Sequence, residues 1–154
     1  MTNVLLNVNK DFVSSDWEGS PNGNWCYSMS APEQISNKKA WKIAFSGTDT
    51  DWATVCWAIK PGGTAPVVPG NAAKLKFWAI GMAGGEKVQF GFPNGPKQKF
   101  TLTKQWAHYS ISLSNYTANQ TNPFMWACGS GLNDNKTITF GLGASSDAIQ
   151  YIKS

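Results

Sequence analysis

The sequence predicts an all-β chain, a β-sandwich jelly roll of about nine or ten antiparallel strands, and three observations predict it. Aromatic residues make up 13% of the chain and charged residues only 14%, with eight Trp, fifteen Gly and eight Pro; a helical protein of this size is richer in Glu, Lys, Ala and Leu. Short segments in which apolar and polar residues alternate recur along the chain, separated by clusters of Gly, Pro, Asn and Asp. No segment keeps a helical period for more than a turn or two. The 154 residues are read as one domain, 1–154, large enough to bury a core without metal or disulfide staples.

Val4 to Phe12 carries enough Val, Leu and Phe for a first strand, and SSDWEGSPNGNW after it is dense in turn formers. Trp25, Tyr27 and Met29 alternate with Cys26 and Ser28, giving a strand with one aromatic face; APEQISNKK reads as a loop or a single helical turn. Trp41, Ile43 and Phe45 mark a half-buried strand that ends at Ser46-Gly47. In the next strand, Trp52 to Ile59, Val55, Trp57 and Ile59 share one face, and Trp52, Thr54 and Cys56 the other. PGGTAPVVPGN then crosses the surface, its prolines and glycines excluding regular structure.

Lys74 to Phe92, KLKFWAIGMAGGEKVQFGF, reads as two antiparallel strands joined by a glycine-containing turn. Leu75, Phe77 and Ala79, with Val88, Phe90 and Phe92, form its core face. The opposite face sets Lys76, Trp78 and Ile80 beside Lys87 and Gln89, half aromatic and half polar, and is the first candidate for a working surface. PNGPKQ is a turn and Phe100 to Thr103 a short strand; Ala107, Tyr109, Ile111 and Leu113 then give the cleanest period-two pattern in the chain. Phe124 to Cys128, Thr137 to Leu142 and Ala148 to Ile152 close the series.

All thirteen basic residues are lysine and they are scattered along the sequence, so the formal charge of +4 does not point to nucleic acid, which arginine forks recognise best. No apolar run approaches the ~20 residues that span a bilayer, and a membrane is not expected as a partner. MTNVLLNVNKD is too short and polar for a signal peptide. An exported parent would therefore be represented here by a trimmed domain with an added Met. Cys26, Cys56 and Cys128 allow at most one disulfide and match no zinc spacing, since His108 is the only histidine; they are read first as small buried hydrophobes.

From Asp51 to Phe140 the order of residues becomes more specific, above all in KLKFWAIGMAGGEKVQF (74–90) and TLTKQWAHYSISL (101–113). This run, more than half the chain, resembles bacterial β-sandwich domains of the carbohydrate-binding-module type. The resemblance implies a jelly roll attached to a polysaccharide-degrading or cell-envelope protein, extracellular or at the cell surface. Many such folds hold a structural calcium with an acidic pair near the C-terminus; here GLGASSDAIQYI offers only Asp147, with Asp11 or Asp16 as its partner, against the six to eight oxygens that calcium prefers. No other cofactor is required.

Sugar recognition combines flat apolar rings, for the C–H faces of a pyranose, with planar polar groups for its hydroxyls. The candidate carbohydrate-binding residues are Trp25, Trp52, Trp57, Trp78, Gln89 and Trp126. Strand tryptophans are also core residues, and Trp57 and Trp126 share faces with apolar neighbours, so either role is open to them. Trp52 and Trp78 lie opposite the more aliphatic faces of their strands. Trp25 adjoins a polar loop. Lys87 and Gln89 neighbour Trp78 if the hairpin register is simple. Trp41 and Trp106 are assigned to packing, and His108 to the surface.

A glycosidase needs two carboxylates roughly 5 to 10 Å apart, and nearly all the acids lie in loops or turns. No GxSxG, HExxH or phosphate-loop motif occurs. The expected function is a non-catalytic carbohydrate-binding module. Its partner would be a polysaccharide, a β-glucan, xyloglucan or related plant or algal glycan, bound by Trp stacking and polar pairing so as to target an attached enzyme or surface protein. The alternatives are a structural or protein-interaction β-sandwich of an extracellular or envelope assembly, and a small glycan lyase or hydrolase.

Overall fold

A computed structural model describes residues 3–15, 26–46, 51–63, 70–93, 95–113, 122–129 and 131–153. The described residues form twelve strands and one helical turn. They are β1 (Asn3–Asn7), α1 (Val8–Asp11), β2 (Phe12–Ser15), β3 (Tyr27–Ile35), β4 (Lys38–Phe45), β5 (Trp52–Ile59) and β6 (Lys74–Gly81), followed by β7 (Lys87–Gly91), β8 (Lys97–Thr101), β9 (Ala107–Ser112), β10 (Met125–Gly129), β11 (Ile138–Gly143) and β12 (Ile149–Lys153). All strand pairings are antiparallel. One sheet has seven strands, in the order β1-β12-β6-β11-β4-β3 with β9 on the other side of β6; the second has five, in the order β2-β5-β10-β7-β8.

The inner faces of the two sheets meet through aromatic rings. Phe77 of the larger sheet lies 4.5 Å from Phe90 of the smaller, Phe140 lies 5.6 Å from Trp126, and Trp41 lies 5.1 Å from Trp57. Edge-to-face and tilted pairs of this kind stabilise beyond the apolar area they bury. Leu75, Phe77, Ala79, Val88, Phe90 and Phe92 are all fully buried, so the parity read for 74–92 holds on both strands.

The pairing does not. β6 and β7 are not a hairpin: β6 pairs with β9, β11 and β12, and β7 with β8 and β10 in the other sheet. Met82 to Glu86 carries the chain across, through Gly84 (φ 85°) and Gly85 (φ 93°), while a Glu86 carboxylate oxygen accepts the Ala83 N–H at 2.7 Å. Period-two alternation fixes which face a residue lies on and is silent about which sheet the strand joins. The working surface expected around Trp78 and Gln89 is thereby divided between two opposite sides of the sandwich.

Two segments of the N-terminal half also differ from expectation. Val4 to Phe12 is two strands in different sheets, joined by α1, because β1 pairs with β12 and β2 with β5. APEQISNKK is strand rather than loop: β3 runs to Ile35 and turns into β4 through Ser36 (φ 41°) and Asn37 (φ 65°). A two-residue turn with both φ positive matches the twist of a hairpin. Pro32 is accommodated where the register shifts between Ser30 and Glu33, on the outermost strand of its sheet.

α1 is fastened by Asn9, whose amide nitrogen donates to the carbonyls of Gly143 (3.2 Å) and Ser145 (2.6 Å) while its oxygen accepts from Trp57 Nε1 (3.2 Å). One side chain thus ties the crossing turn to both sheets. Asn9→Ala would leave the Trp57 N–H inside the core without its acceptor, and is expected to destabilise the fold by about 2 kcal/mol, measured by urea denaturation.

Candidate functional site

The outer face of the five-stranded sheet is built from cross-strand rows. Thr54 on β5 lies beside Ala127 on β10, Ala127 beside Gln89 on β7, and Gln89 beside Lys99 on β8. The neighbouring row sets Trp52 beside Gly129, and a third runs Cys56, Met125, Gly91, Lys97. Small residues in the middle strands and large ones at the sides make a groove. It has a volume of about 370 Å³ and is lined by Trp52, Thr54, Gln89, Lys99, Ala127, Cys128 and Gly129, with Leu132 at its end. With strands about 4.8 Å apart, four strands span roughly 14 Å, room for more than one pyranose ring.

Trp52 is 42% exposed, the only tryptophan among the exposed large apolar side chains described. Its backbone carbonyl accepts from the Cys26 thiol at 3.5 Å. Gly129 lies directly under it at φ 150°, and a Cβ there would meet the Trp52 Cβ at 2.5 Å and the Asp51 carbonyl at 2.8 Å. Glycine at this position lets the start of β5, with the Trp52 Cβ, approach β10 closely. Among the described residues Thr54 and Gln89 make no side-chain hydrogen bond, leaving a hydroxyl and an amide for a ligand's hydroxyls.

Of the six candidate residues, the structure brings together Trp52 and Gln89. Trp57 and Trp126 are corrections: both are 0% exposed, each held edge-on by other rings, and neither can stack on a ligand. Trp25 lies outside the described residues. Trp78 is on the outer face of the seven-stranded sheet, beside a hollow of about 310 Å³ with Lys38, Lys39, Ser145 and Asp147. Its ring is already occupied: the His108 imidazole stacks on it at 4.5 Å and 5°, and the Lys38 ammonium lies 4.5 Å from its centroid. Elsewhere on that face Trp106 packs on Ile35, Ala40 and Ile80 and donates to the Ile35 carbonyl at 2.9 Å.

Burial, with Lys76 and Lys38 nearby, lowers the pKa of His108. Because the folded chain then takes up the proton less readily than the unfolded one, this histidine's contribution is intact above its ordinary range and declines as pH falls through it. An NMR titration should place its midpoint below that of an ordinary histidine, and Lys38→Gln with Lys76→Gln should raise it.

Asp147 accepts from the Ser146 hydroxyl at 2.6 Å. Asp16 lies outside the described residues, and among those described no group of three or more His, Cys, Asp or Glu is close enough to hold a metal. The carbonyls of Gly143 and Ser145, oxygens of the kind a calcium would take, accept from Asn9 instead.

The cysteines are buried and joined in no disulfide among the described residues. Burial pushes the Cys56 thiol up to about 11 and Cys128 to about 12, which keeps both protonated and poorly nucleophilic at neutral pH. Among the described residues no carboxylate lines the groove. A larger hollow of about 500 Å³ opens between 82–87 and 132–139, past Leu132, and among the described residues no aromatic ring lines it; the Trp52 groove combines an exposed ring that no other ring covers with unengaged polar groups.

Thr54, Gly129, Lys97 and Lys99 were absent from the candidate set. Parity alone would have found Thr54, two residues from Trp52 on its face. Reading PNGPKQ as a turn, with the strand starting only at Phe100, conceals Lys97 and Lys99, which alternate along β8 from its first residue.

No known family pattern matches the sequence, and no curated protein matches it. Solved structures do. The chain is similar over 100% of its length to 98% of the family 30 carbohydrate-binding module of a cellulosomal cellulase of Clostridium thermocellum, with 14% identity and a TM-score of 0.60. It is similar, again over 100% of its length, to 95% of the family 11 module of another cellulosomal cellulase of that organism, with 13% identity and a TM-score of 0.57. It also matches, over 92% of its length, 21% of the chain of the glycoside hydrolase domain of Endo-D from Streptococcus pneumoniae, with 14% identity and a TM-score of 0.57. The fold is that of carbohydrate-binding modules.

Proposed function

We propose that this chain is a non-catalytic carbohydrate-binding module that holds a polysaccharide of the β-glycan class in the groove of its five-stranded sheet. The observation that carries the reading is the half-exposed side chain of Trp52, paired with Gly129 in the row beside the unengaged Thr54 hydroxyl and Gln89 amide. A pyranose laid on that ring exchanges water for C–H contact, while the amide and hydroxyl fix its orientation. Such a module would act outside the cell, targeting an attached enzyme or surface protein to its polymer.

Affinity electrophoresis against a panel of soluble polysaccharides tests this. One or more glycans should retard the wild type, and Gln89→Ala should weaken retardation about tenfold, the effect of losing one or two hydrogen bonds. Absence of retardation by every glycan would favour a structural or protein-interaction sandwich.

A further inference from the structure

The two walls of the groove differ in charge. Trp52 stands on the β5 side, whereas on the other side Lys87, Lys97 and Lys99 all project from the outer face and are exposed. Lys99 lines the groove itself. Lys97 is paired with Gly91, which has no side chain, in the row that continues through Met125 to Cys56. No outward position of the five strands carries Asp or Glu. Of the nearby described acids, Asp51 and Glu86 are buried, with Glu86 engaged by the Ala83 N–H, and Asp134 is exposed beyond Leu132, in the neighbouring hollow.

Lysine is also a common guard of edge strands, and β8 is one. These lysines go beyond that role in their placement: Lys99 continues the row of Gln89, Ala127 and Thr54 across the groove floor.

We infer that the groove selects an anionic polysaccharide, whose pyranose rings carry carboxylate or sulfate groups, with a ring on Trp52 and the charged substituents toward Lys99, Lys97 and Lys87. The inference rests on the carbohydrate-binding reading and narrows it. Exposed ion pairs are individually weak and screened by salt, so their combined field shows itself in charge selectivity and in salt dependence.

The experiment compares four polymers by calorimetry: alginate, its uncharged propylene glycol ester, sulfated carrageenan, and neutral hydroxyethylcellulose. Alginate or carrageenan should bind at least about tenfold tighter than either neutral polymer, the stronger of the two telling carboxylate from sulfate. Raising ionic strength from about 0.1 M to about 1 M, which shortens the screening length from about 10 Å to about 3 Å, should remove most of that advantage. Lys99→Gln and Lys97→Gln should each reduce it, and Trp52→Ala should abolish binding. Neutral polymers binding as tightly as charged ones, without salt dependence, would overturn the inference while leaving the module reading intact. Anionic binding that survives Trp52→Ala would also overturn it, as ion exchange on surface lysines. No binding to any polymer, here or in the wider panel, would overturn the module reading itself.

Discussion

Trp52→Ala is expected to remove polysaccharide binding and leave the fold standing. The indole is 42% exposed, and β5 keeps its backbone pairing with β2 and β10 whatever side chain stands at this position. The change in stability should therefore stay within about 1 kcal/mol. Affinity should fall far more, because a rigid aromatic anchor of a binding site is commonly worth about 2 kcal/mol or more, roughly thirtyfold in Kd. Trp52→Phe, which keeps a smaller platform, should fall between the two. Calorimetric titration of each variant, beside its thermal melt, checks both halves of the expectation.

Trp57→Ala should do the reverse. Trp57 is fully buried, edge-on to Trp41 and to Phe124 at 5.1 Å each, and hydrogen-bonded to Asn9. Replacing a core tryptophan by alanine costs about 3–5 kcal/mol, a large part of the 5–15 kcal/mol that holds a typical domain together. The melting temperature should drop by roughly 10 °C, with affinity unchanged in whatever fraction stays folded. Trp57→Phe keeps most of the packing but loses the N–H. Its effect should be non-additive with that of Asn9→Ala, since the two changes break the same hydrogen bond.

Trp52 and Trp57 lie on one strand, five residues apart, and alternation correctly puts them on opposite faces. That much was legible: β5 begins and ends where its pattern does, and the core faces of 74–92 are the ones the alternation gives. Which face of a sandwich strand looks inward is a matter of the partner sheet, and here the sequence was ambiguous, since Trp52, Thr54 and Cys56 are hardly less apolar than Val55, Trp57 and Ile59. Trp78 shows the same limit from the other side. It does face outward, as its parity suggests, but the strand paired beside it brings His108 onto the ring and the β3–β4 turn brings Lys38. Those neighbours are long-range and leave no mark in the local pattern. Gln89 was identified for a hairpin that does not exist, and it reaches the groove because β7 pairs with β10 and β8 instead. Lys97 and Lys99 look scattered in the sequence, and only the edge position of β8 collects them beside Lys87.

The central claim is that ligand meets the five-stranded sheet at Trp52. The most direct measurement is an NMR titration that follows the indole N–H signals of the eight tryptophans, assigned by single Trp→Phe substitutions, as a bound polysaccharide fragment is added. The Trp52 signal should shift or broaden first, with those of Trp57, Trp78 and Trp126 nearly still. A response at Trp78 with Trp52 unmoved would contradict the account and transfer the site to the opposite sheet.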